Sequence, residues 1–201
     1  MNLKINSFFS TFLLIFAFFF LLSAQVSTTI ASDNPRPTRS PRRIVIGAKL
    51  EEYKSPRRTD CDINVPKQYP TIQTAIDSAN SGDTICVAAG TYNEDVLVNK
   101  SIRLSGKGAQ KSIINGQNSI WPGTIYITAK NVIFEGFSVH GVGTNSTVQL
   151  TINEAPYRST LQYNLIKAGN GGMALQLDSY QNTLVQNNIL EGNNSPHVVR
   201  E

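Results

Sequence analysis

Short strand-like segments recur at long, nearly constant intervals in the second half of this sequence. One set of residues is matched twenty-three positions further on: Thr160, Leu161, Asn164, Ile166, Gly169 and Asn170 by Thr183, Leu184, Asn187, Ile189, Gly192 and Asn193. The same columns hold, twenty-eight positions earlier, Val132, Ile133, Gly136, Ser138 and Gly141. A second segment, Val148, Leu150 and Ile152, is matched twenty-five positions on by Met173, Leu175 and Leu177. A chain that repeats in this way folds as a stack of similar units.

The local pattern within each repeat identifies the unit. Beyond Asp83, apolar residues alternate in short bursts, as in Ile85 and Val87, and Gly, Asn and Asp separate the bursts. A period of 23–28 residues with about three short strands and no helix predicts an all-β fold, a parallel β-helix. A leucine-rich repeat has a similar period, but its fixed Leu and Asn spacing is absent.

Stacking of the coils predicts specific columns of side chains, because equivalent residues of successive coils lie only about 4.8 Å apart. Gly136, Asn164 and Asn187 share one column. This column predicts a turn in left-handed backbone, which Gly and Asn tolerate best. The side-chain amides of Asn164 and Asn187 are expected to hydrogen-bond in a ladder.

One helix is predicted, at the start of the folded part. Thr71 is a suitable N-cap, and the apolar residues Ile72, Ala75, Ile76 and Ala79 follow it at helical spacing. We expect a helix over residues 71–80 that covers the first coil, because a solenoid needs a cap on its raw end.

Charge and composition divide the chain into three parts. The formal net charge is +4, but residues 33–58 carry eight Lys or Arg against three Asp or Glu, whereas residues 59–201 carry nine against eleven. The basic charge therefore belongs to a Pro/Arg-rich linker, predicted over 32–58, and gives no reason to expect a nucleic-acid partner. Residues 59–201 form the predicted β-helix domain.

The N-terminal residues 1–31 resemble a secretory signal peptide, with Lys4 before an apolar run over 8–22 and small residues after it. An uncleaved membrane anchor is the alternative. In either case the domain is expected to be secreted, periplasmic or on the cell surface. Because exported chains meet oxidising conditions, we predict a disulfide between Cys61 and Cys86, the alternative being two unrelated small apolar residues. No metal signature or cofactor motif is present.

Four motifs give the sequence a resemblance to a known family. The stretch YPTIQTAI at 69–76, GDTI at 82–85, GTYNE at 90–94 and LSGKG at 104–108 resembles the start of pectin-lyase-like right-handed parallel β-helix proteins, especially pectin methylesterases. The later residues look like generic β-helix repeats. The resemblance implies a right-handed coil. At about twenty-five residues a coil, residues 83–201 give four to five coils, about half the number in enzymes of this kind, so a shortened or truncated β-helix is expected.

The catalytic sets of these enzymes are missing from the sequence. Pectin methylesterases carry paired aspartates, and no aspartate occurs here between Asp95 and Asp178. One carboxylate does not make the acid and nucleophile pair, so Asp178 is only a weak candidate catalytic acid. Calcium-dependent pectate lyases need an acidic cluster, which is also absent. Fold alone does not supply chemistry, and the sequence favours a chain without complete catalytic machinery.

The middle strands present the best ligand-binding surface in the sequence. Alternation predicts three outward columns: Tyr126, Gln149 and Ala174; Thr128, Thr151 and Gln176; Lys130, Asn153 and Asp178. An aromatic ring, amides and hydroxyls suit sugars, and Lys130 suits a uronate carboxylate. The alternative is an ordinary solvated sheet face.

Three hypotheses of function follow. The first is a secreted β-helix module that contacts polysaccharide or surface glycans, with an acidic uronan favoured. The second is a polysaccharide-modifying enzyme, a carbohydrate esterase, polysaccharide lyase or uronan epimerase, or a fragment of one. The third is a structural module that stacks on a partner through an open C-terminal coil and forms an end-to-end oligomer.

Overall fold

The structure is a computed structural model of the 201-residue chain, and it describes residues 42–46, 50–55, 57–117, 122–150, 158–177 and 183–192. Within these residues the strands are, in chain order, β1 Arg42–Ile46, β2 Ile63–Val65, β3 Thr84–Val87, β4 Gly90–Asn93, β5 Val96–Val98, β6 Arg103–Ser105, β7 Ser112–Asn115, β8 Gly123–Ile127, β9 Ile133–Glu135, β10 Ser138–His140, β11 Ser146–Leu150, β12 Thr160–Gln162, β13 Leu165–Lys167, β14 Leu175–Leu177, β15 Leu184–Gln186 and β16 Asn188–Gly192. One α-helix, α1 (Ile72–Ser78), and two short 3-10 helices, Leu50–Glu52 and Arg58–Asp60, complete the described elements.

The strands form three sheets that the chain visits in turn. Sheet A has the order β1-β16-β13-β10-β7-β4, sheet B has the order β15-β12-β9-β6-β3-β2, and sheet C has the order β14-β11-β8-β5. Apart from β1 and β16, neighbouring strands are parallel. The chain is therefore a parallel β-solenoid of about five turns, consistent with the predicted right-handed β-helix.

The core runs along the inside of the three sheets. Because side chains alternate across a strand, every second residue points inward, and like residues stack from coil to coil. Val96, Ile125, Val148 and Leu175 form one such inward row of sheet C, and all four are buried. Phe134 and Phe137 stack in the interior with their ring centroids 4.9 Å apart.

Helix α1 caps the first coil, as predicted, although it ends at Ser78 and not at Asn80. Thr71 is the N-cap, and its hydroxyl oxygen accepts a hydrogen bond from the amide of Thr74 at 3.1 Å. The Glu94 carboxylate accepts two more, from the amides of Ile72 and Gln73 at 2.9 and 3.0 Å. These contacts satisfy N–H groups that a helix leaves without partners in its first turn.

The left-handed column and the asparagine ladder both exist, but the predicted register of the repeat was wrong by one residue. Gly136, Tyr163 and Asn187 occupy the left-handed positions, with φ of 76°, 58° and 54°. The buried ladder is formed by Asn164 and Asn188. The prediction placed Asn164 in the left-handed turn because Asn favours that conformation, whereas the structure puts the bulkier Tyr163 there and keeps the Asn164 amide inside.

The asparagine ladder satisfies backbone groups in the interior. The Asn164 side chain accepts a hydrogen bond from the Phe137 amide at 3.1 Å and donates one to the Phe134 carbonyl at 3.0 Å. The Asn188 amide oxygen accepts hydrogen bonds from the backbone N–H of Asn164 at 2.9 Å and from its side chain at 3.1 Å. The Asn188 side chain donates to the Leu161 carbonyl at 2.7 Å. Each asparagine thus joins its coil to the preceding one.

The predicted disulfide between Cys61 and Cys86 is confirmed. It ties the segment that enters the first coil to β3. The residues that precede Cys61 also contact the solenoid. Residues 50–55 and 57–61, which we call the strap, contact the outside of the coils through Tyr53, as described below.

The strand β1 lies within the segment predicted as a linker, and it pairs antiparallel with β16, the last described strand. The pairing runs from Arg42 opposite Gly192 to Ile46 opposite Asn188. Sheet A therefore continues past β16 to β1, whereas β15 of sheet B and β14 of sheet C are the last strands of their sheets among the described residues. The predicted signal peptide lies outside the described residues. Within the described part of the chain, no helix has the length and apolar character needed to cross a membrane.

Candidate functional site

The outward face of sheet C carries a polar column at its centre. The register places Tyr126 of β8 beside Gln149 of β11, and Gln149 beside Gln176 of β14. All three side chains are partly exposed. Because the strands are parallel and in register, one phenol and two primary amides lie in a row along the axis of the solenoid.

The predicted columns were shifted by two residues at their last coil. The spacing between β11 and β14 is twenty-seven, from Val148 to Leu175, and not twenty-five. Gln176 therefore joins Tyr126 and Gln149, while Ala174, which was predicted to face outward, is completely buried. The two additional residues lie in the connections between strands. The alternation of apolar and polar residues within a strand does not reveal the length of these connections.

The remaining predicted ligand residues lie elsewhere. Thr128 follows the end of β8, where its amide donates to the Val98 carbonyl at 3.0 Å, and Lys130 is exposed in the turn before β9. Neither belongs to the flat part of sheet C. Thr151, Asn153 and Asp178 lie outside the described residues. The structure thus brings together Tyr126, Gln149 and Gln176 from the predicted set.

A shallow cavity of about 340 Å³ adjoins the two glutamines. Its lining residues are Pro122, Thr144, Asn145, Ser146, Gln149, Met173 and Gln176. The Ser146 hydroxyl, which is almost completely buried, donates to the Gln176 amide oxygen at 2.6 Å and fixes the orientation of that amide. A fixed amide is a better recognition group than a free one, because less side-chain entropy is lost when a ligand binds.

The chemistry of this face is neutral and directional. Tyr126 offers a ring that can stack on the apolar side of a sugar, and the amides of Gln149 and Gln176 contain both donors and acceptors. No formal charge lies in the column. We call Tyr126, Gln149, Gln176 and the adjoining cavity the sheet C face.

Sheet B carries a second polar row, which no pattern in the sequence predicts. At its centre is Glu135 of β9, an outward residue that is nevertheless only 1% exposed. One carboxylate oxygen accepts hydrogen bonds from the Arg103 guanidinium at 2.6 and 2.8 Å and from the Ser105 hydroxyl at 2.9 Å. The other accepts from the Gln162 amide at 2.7 Å. The buried carboxylate is thus paired and hydrogen-bonded on both oxygens, as a buried charge requires.

Tyr53 of the strap covers this row. Its hydroxyl hydrogen-bonds with the Ser105 hydroxyl at 2.7 Å and donates to the Gly106 carbonyl at 2.9 Å. Its ring packs beside Tyr163, with 5.3 Å between ring centroids, and lies against Gly136, where an added Cβ atom would overlap the ring. Position 136 therefore requires glycine mainly because Tyr53 occupies the space that a side chain would fill. Nothing in the sequence signals this contact, since Tyr53 lies in a polar, Pro-rich stretch.

Burial raises the pKa of Tyr53 well above its usual value of 10.0, the Glu135 carboxylate adds to this effect, and Ser105 and Arg103 oppose it. The neutral phenol therefore stabilises the folded state at pH below 10.0, and this contribution is lost as pH rises through the folded-state pKa. We expect the tyrosinate absorbance of the wild type to include one late-titrating group that is absent from Tyr53→Phe. Spectrophotometric titration above pH 10.0 measures this difference. Superimposable curves for the two proteins would contradict the assignment.

His140 is the last residue of β10. Its side chain is half-buried, and its Nε2 lies 3.0 Å from the Ser138 hydroxyl. Burial lowers the pKa of His140, Lys167 lowers it further, and Glu191 acts in the opposite direction. Among the described residues, no group of three or more His, Cys, Asp or Glu is arranged to hold a metal ion.

Comparison with known proteins gives one partial similarity. The chain is 43% identical over 82 residues to a cell surface glycoprotein of Methanothermus fervidus, a match that covers 40% of this chain and 13% of that protein. The chain thus matches only a small part of the length of this relative. No protein-family model matches the sequence, and no solved structure matches it significantly.

Proposed function

We propose that this chain is an exported surface module whose β-solenoid contacts polysaccharide or surface glycans through the sheet C face. The observation that supports the proposal is the register of Tyr126, Gln149 and Gln176, which sets one ring and two amides in a row. Sugars present alternating apolar faces and hydroxyl groups, so a row of this kind matches their chemistry.

The repeat geometry suits an extended ligand. Polymer chains repeat along their length, and the polar column of a solenoid repeats in the same way at one strand spacing of about 4.8 Å per coil. The partial similarity to a cell surface glycoprotein supports a location at the surface. Export through the predicted signal peptide is part of the proposal.

Affinity electrophoresis in gels that contain pectin, alginate or a neutral polysaccharide tests the glycan contact. We expect the wild-type protein to be retarded by at least one of these polymers. Tyr126→Ala should weaken the retardation about fivefold, because a stacked ring contributes about 1 kcal/mol. Gln149→Ala should weaken it by a similar factor through lost hydrogen bonds.

A matched control separates the sheet C face from a general effect of surface substitutions. Gln110→Ala removes an exposed glutamine outside sheet C, in the turn before β7, and should leave the retardation unchanged. Uniform migration of the wild type in all polymers would defeat the proposal. Equal loss in Gln110→Ala and Gln149→Ala would remove the sheet C face as the binding site.

A further inference from the structure

A second cavity, of about 370 Å³, lies at the other end of the described structure from β16, between the strap and the first coils. Its walls come from the ends of three neighbouring strands of sheet B, namely β2, β3 and β6, and from the turns that follow them. The strap closes the cavity on one side through Ser55 and Cys61. The volume falls at the lower end of the usual range for ligand pockets, so it suits a small ligand.

The lining of this cavity is mainly apolar, with a few polar groups at fixed places. The apolar part consists of Val65, Pro66, Val87, Ala88 and Ala89 together with the Cys61–Cys86 bridge. The polar part consists of Ser55, Asn64, Ser105 and two lysines, Lys67 and Lys107. A pocket with an apolar floor and a small number of polar groups is the usual form of a small-molecule site.

The positive charge of the residues that line the cavity favours an anionic ligand. Lys67 follows β2 and Lys107 follows β6, so the two lysines that line the cavity come from different walls. Both lysines are exposed, and no acidic residue is among those that line the cavity in the described part of the chain. An anion placed between two lysines gains attraction from both, and nothing in the lining repels it.

We propose that this cavity, which we call the strap pocket, binds the carboxylate of a small sugar acid. The ammonium groups of Lys67 and Lys107 hold the carboxylate, and the apolar floor lies against the ring. The choice of a sugar acid among carboxylates rests on the proposed glycan contact. The pocket is distinct from the sheet C face, which carries no formal charge and lies on another sheet.

The disulfide makes the strap pocket a fixed site. Cys61 belongs to the strap and Cys86 to β3, so the bridge holds one wall against the other. Asn64 is also fixed, because its side chain donates to the Gln68 side-chain oxygen at 3.2 Å. A site with fixed walls loses little freedom when its ligand binds.

Isothermal titration with digalacturonate tests the proposal, and its dimethyl ester serves as the uncharged probe. We expect the wild type to bind digalacturonate more tightly than the ester, and to bind it more weakly as salt is added. Lys67→Gln combined with Lys107→Gln should weaken the binding of digalacturonate about tenfold or more, because hydrogen bonds to charged groups are lost. Lys111→Gln, an exposed lysine outside the strap pocket, is the matched control and should bind as the wild type does.

The outcomes separate the strap pocket from the sheet C face. Failure of the wild type to bind digalacturonate, or equal binding by the double variant, overturns the strap pocket. In that case, a loss of polymer retardation in Tyr126→Ala would still support the proposed function of the sheet C face. Conversely, lysine-dependent binding of digalacturonate without any polymer retardation supports the strap pocket and defeats the proposed function. Circular dichroism confirms that the variants are folded, as expected for two exposed side chains.

Discussion

Replacement of Asn164 by alanine should lower the free energy of unfolding by about 3 kcal/mol, since two buried backbone groups lose their partners and each costs about 1–3 kcal/mol. The affected groups are the Phe137 amide and the Phe134 carbonyl. The Asn188 side-chain oxygen also loses the hydrogen bond that it accepts from the Asn164 side chain. Urea denaturation of the purified wild type and variant measures the change as a shift in midpoint at constant slope.

Asn187→Gly is the control that distinguishes the two registers of the ladder. Asn187 has a φ of 54°, which glycine adopts without strain. The substitution should therefore leave the stability almost unchanged or raise it slightly. If Asn187→Gly destabilised the protein as much as Asn164→Ala, the ladder would run through Asn187, as first predicted from the sequence, and the register of sheet A would need revision.

Removal of the disulfide should lower the free energy of unfolding by about 3 kcal/mol. The unfolded chain gains conformational entropy when a loop of this length is no longer closed. The variant is Cys61→Ser combined with Cys86→Ser, and the sequence separation of the two residues is 25. The loss should appear as a lower denaturation midpoint. Hydrogen exchange should show faster exchange in the strap than in the wild type, because one of its attachments is gone.

The wild type under reducing conditions is the control for the serine substitutions. It should have the same midpoint as the double variant, since both lack the bridge. Equal midpoints for the oxidised wild type and the double variant would show that the bridge adds no stability. Loss of stability in the double variant alone, with no effect of reduction on the wild type, would assign the loss to the serine side chains.

Much of the fold could be predicted because its elements are encoded locally. The helical spacing of Ile72, Ala75 and Ile76 fixed the position of α1, and alternation marked strands such as β3 and β5. The pairing of Cys61 with Cys86 followed from the expected compartment and the small number of cysteines. Such signals depend on neighbours in the sequence, and therefore they are visible without a structure.

The register and the outer contacts could not be predicted because they depend on distant residues. Insertions between strands change the repeat length from coil to coil, so the spacing of similar residues predicted the wrong columns for Asn164 and Ala174. Tyr163 in left-handed backbone goes against the preference of its residue type. The cover over Glu135 comes from Tyr53, far away in the sequence, and an outward glutamate in a strand gives no sign that another segment buries it.

The pairing of β1 with β16 has a consequence for the order of events during biosynthesis. β1 is made before all the coils, yet the strand that it pairs with is the last one described. Contacts between such distant parts of a chain form slowly, because a large loop must close first. We therefore expect β1 to pair with β16 late, after the coils between them have assembled. Until that pairing forms, the β16 edge of sheet A is able to accept a strand from a neighbouring molecule.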